Sequence, residues 1–298
     1  MSSSKGQDGR CDISLGIAFK GPEGIVLAAD SRVTLTVPIQ PIQPQLGQSK
    51  PQAMLLPATY DNATKLLKVS GQDYVGAVTY GLGAIGQQAP RTAHSFVPEF
   101  EEELVKAQVG RLSVHDFAIR LSDFFSRQWQ QSGMPQTSNY SGPDMVFLVG
   151  GYDVKEPYGA LFEFHIPRNP SPSEWHKDNF GIVWGGQKEF TDRLIQGFDD
   201  ELPKLAQQFL GLSDSQRDGL KAHLKSNLEA KIPFPFLPLQ DCVDLSIMLI
   251  RTTIAIQNWI IGIRGVGGAI DVATITRTGK FEPIQRKKIT GERLVQLF

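Results

Sequence analysis

The chain has 298 residues, 41% hydrophobic and 20% charged, the balance of an ordinary folded protein. Thirty basic residues against thirty-one acidic ones give a formal net charge of −1, which offers no reason to expect nucleic acid or an anionic membrane as a partner. The two cysteines, Cys11 and Cys242, are too few for a disulfide framework or a metal knuckle; reduced thiols and a cytoplasmic location are expected.

Residues 1–10 (MSSSKGQDGR) are polar and lack the apolar core of a signal peptide, so they read as a flexible segment or propeptide. Two β-rich runs follow, 13–20 (ISLGIAFK) and 24–31 (GIVLAADS), joined by Gly21-Pro22-Glu23-Gly24 as a hairpin. Residues 38–57 are rich in Pro and Gln and predict a surface loop. A second hairpin is expected from 65–70 and 74–80, turning at Gly71-Gln72-Asp73.

The period then changes to that of a helix over 84–110, with an internal Pro98, and again after Ser113, where Val114, Phe117, Ala118, Leu121, Phe124 and Phe125 share one face. Strands are predicted at 144–151, 158–166 and 180–184, helices at 188–210, 213–230 and 239–261, and closing strands at 270–276 and 281–289. Residues 243–263 are the most apolar stretch. A membrane span would carry Asp244 and Arg251 at about 2.5–3.5 kcal/mol each, so a buried helix is the better reading.

Strands and helices thus come in blocks, which argues against a doubly wound parallel sheet. Two antiparallel sheets flanked by helices, an α+β sandwich in four αββα layers, would bury every apolar face. The run Gly81-Leu82-Gly83-Ala84-Ile85-Gly86 spells a dinucleotide-binding fingerprint, but no parallel βαβ unit accompanies it. The five histidines show no metal-ligand spacing, so neither cofactor nor metal is expected.

Several segments resemble the β-type subunits of proteasomes, members of the N-terminal-nucleophile hydrolase superfamily. Gly24-Ile25-Val26-Leu27-Ala28-Ala29-Asp30-Ser31-Arg32 looks like their second strand, and Lys65-Leu66-Leu67-Lys68-Val69 like the segment holding their lysine. Leu148-Val149-Gly150-Gly151 is similar to a strand-end motif, Gly267-Gly268-Ala269-Ile270-Asp271 to a late glycine turn, and Val243-Asp244-Leu245 to the start of the last main helix. The segments keep the family's order across residues 12–290. The resemblance implies one domain over 11–298, with insertions at about 35–63 and 200–237, where added loop length costs little.

It also implies a chemistry. In such enzymes the first residue of the mature chain attacks a carbonyl while its own α-amine takes the proton. A lysine beside it supplies positive potential, and an aspartate orients the lysine. Asp30 and Lys65 match those two positions. The nucleophile's position falls on Asp12, which has no proton to give at neutral pH; Cys11, one residue earlier, would become an amino-terminal thiol if residues 1–10 were removed. The family's auxiliary serine matches Gly186, and its late aspartate and serine match Ile263 and Val266. The Gly185-Gly186 turn would still offer a backbone N–H to an oxyanion.

Three functions follow from the resemblance: a proteasome-like peptidase subunit, a noncatalytic subunit of such an assembly, or a cysteine amidase using Cys11. The first two imply self-association, or related subunits in a ring, and the first and third a peptide or amide substrate.

Overall fold

The computed structural model describes residues 14–39, 54–87, 89–262 and 264–291. The first hairpin forms as expected, β1 (Leu15–Lys20) against β2 (Ile25–Asp30). Every residue of both strands is buried, which is why they read as unbroken apolar runs rather than as alternating ones.

The predicted loop over 38–57 is corrected at both ends. β3 (Val33–Ile39) and β4 (Met54–Tyr60) pair as a two-stranded ribbon outside the main sheets, and residues 40–53 lie outside the described residues. Pro38 and Pro57 are tolerated because each strand of an isolated ribbon has an open edge that needs no donor. The short β5 (Leu66–Leu67) pairs with β6 (Val75–Gly81).

The helix predicted over 84–110 is also shorter. Residues 84–87 and 89–92 are not helical: Gly86 has φ 120° and Ile85 bridges to Arg91, and a 3-10 turn at Ala93–Phe96 leads into α1 (Val97–Lys106). Pro98 therefore stands in the first turn, where a missing N–H breaks no hydrogen bond. α2 (Val114–Gln131) starts where predicted, capped by the Ser113 hydroxyl, which accepts from the Asp116 N–H.

Next come β7 (Met145–Gly151), β8 (Ala160–Ile166) and β9 (Asn169–Trp175). β9 was not expected, since Pro170 and Pro172 mask it in the sequence; it sits at a sheet edge, where proline is permitted. β10 (Gly181–Gly186) follows. The helix predicted over 188–210 divides into α3 (Glu189–Ile195) and α4 (Glu201–Leu210) at Gly197, whose φ of 86° no helix can hold. α5 (Asp214–Leu228) opens on a capping box between Ser213 and Gln216. α6 (Leu239–Gln257) ends four residues before the expected point, β11 (Ile270–Ile275) follows, and the last predicted strand shrinks to β12 (Glu282–Gln285).

Among the described residues two five-stranded antiparallel sheets form, in orders β10-β1-β2-β11-β12 and β5-β6-β7-β8-β9. They stack through Ala18, Leu27, Val78, Leu148 and Ala273. The next residues along the same strands point the other way: Ile17, Val26 and Val272 meet Val243, Leu249 and Ile250 of α6, while Phe147 and Val149 meet Phe117, Phe124 and Phe125 of α2. The period of two along a strand thus builds helix, sheet, sheet and helix in sequence.

No helix among the described residues is long and apolar enough to cross a membrane.

Candidate functional site

β2 ends at Asp30, whose side chain is fully buried between the ends of several strands. Oδ1 accepts from the Lys65 ammonium at 2.6 Å and from the Leu15 N–H at 2.9 Å. Oδ2 accepts from the Arg32 N–H at 3.0 Å and the Gly267 N–H at 2.9 Å. One carboxylate therefore ties the start of β1, the end of β2, the approach to β5 and the glycine turn before β11. Asp30 and Lys65, matched through the resemblance, are brought together here; Cys11, Asp12 and Ile263 lie outside the described residues.

Lys65 is buried as well. Burial pulls its pKa below the ordinary lysine range; Asp30 opposes this, and the cations of Lys287 and Arg32 add to the lowering. A lysine with a lowered pKa gives up its proton more readily than a solvated one.

The chain enters β1 through Ser14, buried and in left-handed backbone (φ 78°). Its N–H donates to the Gly265 carbonyl at 2.9 Å, its hydroxyl donates to the Arg32 carbonyl at 3.3 Å, and its carbonyl accepts the Gln187 N–H at 2.8 Å. Ser14 was not singled out from sequence, because nothing local distinguishes a serine before a strand from any other. It lines, with Lys65, Thr79 and Gly81, a cavity of about 20 Å³, room for a single water. The Thr79 hydroxyl is buried with no partner among the described residues, and so is a ready ligand for that water.

The surrounding loops are held by charge. Arg32 forks onto Asp61 at 2.5 and 2.8 Å, a pairing that raises the guanidinium's pKa and lowers the carboxyl's. A Cβ on Gly267 would lie 2.4 Å from the Arg32 guanidinium carbon, so the glycine turn leaves space for this fork. A second, part-buried pair also escaped the sequence reading: Lys287 contacts Asp271 and reaches the Ser31 hydroxyl at 3.2 Å, and that hydroxyl donates to the Ala269 carbonyl.

The auxiliary positions are bare. Gly186 has φ 94° and Val266 is buried, its N–H donating to the Gln257 side chain. Gly185 and Gly186, expected as a turn, instead end β10 in register with Gly16 and Leu15, and the Gln187 N–H just after them is already occupied by Ser14. Cys242 lies on the buried face of α6, where burial pushes its thiol up to about 11, out of the nucleophilic range. Among the described residues no three His, Cys, Asp or Glu side chains gather as a metal site.

Tyr80 connects this region to a second polar cluster. Its hydroxyl donates to Glu163 Oε1 at 2.8 Å, Trp175 donates to Oε2 at 2.6 Å, and His165 Nε2 stands 3.2 Å from Oε1. The hydrogen bond to Glu163 raises the His165 pKa against partial burial. A raised folded-state value stabilises the fold fully below the unfolded pKa of about 6.5, and that contribution fades as the pH climbs through the folded value. Thermal melts of His165→Gln and the parent should therefore differ most near pH 5–6 and converge as pH rises; a constant gap would contradict this account.

No protein-family model matches the chain, and no curated protein matches it by sequence. Solved structures do share its fold. One is a chain from the "Helical Assembly of the Anbu Complex from Pseudomonas aeruginosa", with a TM-score of 0.51 and 14% identity over 91% of this chain and 84% of that one. At that identity the likeness concerns the fold.

Proposed function

We propose that this chain is a proteasome-like subunit with the N-terminal-nucleophile hydrolase fold, whose Asp30–Lys65 pair serves hydrolysis of a peptide or amide bond. The carrying observation is the 2.6 Å ion pair, buried beside the entry into β1. An amino-terminal nucleophile needs a cation and a fixed strand start at this point. Asp30 provides both by gripping Lys65 and the Leu15 N–H together.

In this reading residues 1–10 are removed and Cys11 becomes the terminal thiol. Its α-amine takes the thiol proton as sulfur attacks the carbonyl, with Lys65 lowering the cost of the thiolate; the C–N bond then breaks as that proton passes to the departing amine, and water cleaves the thioester to release the acid and regenerate the thiol. The fold shared with a chain of a helical assembly supports self-association.

A second reading, a noncatalytic subunit, is favoured by one specific feature. Gly186 and Val266, at two positions where the resemblance calls for hydroxyl groups, have none to offer.

Intact-mass measurement on untagged protein separates the two. A chain starting at Cys11, labelled at that residue by iodoacetamide and hydrolysing fluorogenic peptide amides, is the expected result. Retention of residues 1–10 in the assembled protein, with no peptide hydrolysis, rejects the Cys11 mechanism and leaves the noncatalytic subunit.

A further inference from the structure

β10 is the outer strand of its sheet, and its free side borders a cleft of about 570 Å³ lined by residues 182–186. That volume is in the range of ligand sites. The direction of the ladder shows which backbone groups face it. Leu15 spends its N–H on Asp30, toward β2. The alternation of an antiparallel strand then turns Gly16, Ala18 and Lys20 toward their β10 partners Gly185, Val183 and Gly181. Ile182 and Trp184, between those partners, point their N–H and C=O groups away from β1 and into the cleft. Among the described residues only the His176 ring approaches them, 3.4 Å from the Ile182 carbonyl.

An open edge with unpaired donors and acceptors is a template for another strand, and proteins usually blunt it. The facing outer strand, β9, is blunted by Pro170 and Pro172; β10 (GIVWGG) carries neither proline nor charge. The cleft's charged groups already have opposite partners: Glu163 stands beside His165, Asp144 pairs with Arg168, Glu229 with Lys225, and Lys188 lies between Asp192 and Asp200. Ile195 and Phe234 add apolar wall.

We propose that this cleft binds an uncharged, extended polypeptide segment that joins β10 as an added strand. Main-chain hydrogen bonds to Ile182 and Trp184 would give affinity, and the apolar groups of Ile195 and Phe234 would take up uncharged side chains. Tyr80 and Gly81 line both this cleft and the small cavity at Lys65, so the two sites share a wall. The inference deepens the hydrolase reading, and rests on it, in making the substrate a polypeptide rather than a small amide.

The test uses fluorescence anisotropy on the full chain with a fluorescein-labelled, end-capped heptapeptide alternating valine and serine. The comparison probe is the same peptide N-methylated at every internal amide, which keeps the side chains and removes the donors. Saturable binding of the first, weakened about tenfold or more in the second, is expected from the loss of several hydrogen bonds. Ile182→Pro, which removes a donor facing the cleft and spares the ladder to β1, should weaken the first probe as well. Should that variant not fold, the two probes on the unmodified protein decide alone. Equal binding of both probes within about twofold, or no saturable binding of the first, overturns the proposal. Peptide cleavage without edge-dependent binding rejects this inference and leaves the hydrolase reading standing; edge-dependent binding without cleavage keeps β10 as a strand-addition site but rejects the hydrolase reading and the bound segment's role as substrate.

Discussion

Lys65→Met is expected to lower the unfolding free energy by about 3–5 kcal/mol, because it leaves the Asp30 carboxylate buried without its counter-ion. Both side chains are almost wholly removed from solvent. The three backbone N–H groups on Asp30 remain in the variant, but hydrogen bonds from neutral donors do not replace a formal charge at 2.6 Å. The cost belongs to the stranded charge rather than to lost packing, since methionine fills nearly the same volume as the lysine stem. It should therefore shrink by more than half when the same change is made in an Asp30→Asn background. Urea denaturation of the four proteins measures the coupling directly. A single variant within about 1 kcal/mol of the parent, or strictly additive effects, would show that the pair is not the electrostatic keystone described above.

How much of this was legible beforehand depended on the physical range of each signal. The strands at 15–20, 25–30, 75–81 and 145–151 were plain because both of their faces are buried, and continuous apolar runs follow from that. Helix α2 was plain because one face alone meets a sheet, leaving a clean 3.6-residue period. What failed was local punctuation. Proline was read as a strand breaker, yet in β9 and the β3–β4 ribbon it sits on open edges where no ladder bond is lost. The division of α3 from α4 needed the backbone angle at Gly197, which one glycine in a helical window does not reveal. At the site, Asp30 and Lys65 were found through family resemblance, for no spacing of 35 residues predicts a contact. Ser14 and the Lys287–Asp271 pair went unseen for the same reason: their meaning lies in what the fold places around them.

Gly186→Ser is expected to destabilise the protein by about 2–5 kcal/mol and to add no hydrolytic turnover, even though the family resemblance calls for a serine at this position. Two independent costs combine. The backbone at Gly186 has φ 94°, a conformation that a residue with a Cβ adopts only under strain. A Cβ there would also lie 2.1 Å from the Ser14 carbonyl oxygen, which cannot retreat without giving up the Gln187 N–H it accepts at 2.8 Å. Relief would require Ser14 to move, and Ser14 is fixed on its other sides by Gly265 and Arg32. Strain at Gly186 is thus passed straight to the entry of β1 and from there to the Leu15–Asp30 hydrogen bond. Gly186→Ala shares both costs without adding a hydroxyl, so the two variants should lose nearly the same stability in urea, and neither should gain turnover of a fluorogenic peptide. If the serine variant were as stable as the parent and more active, the β1 entry would be a tolerant loop, and the missing hydroxyl at position 186 would be a replaceable feature of the site.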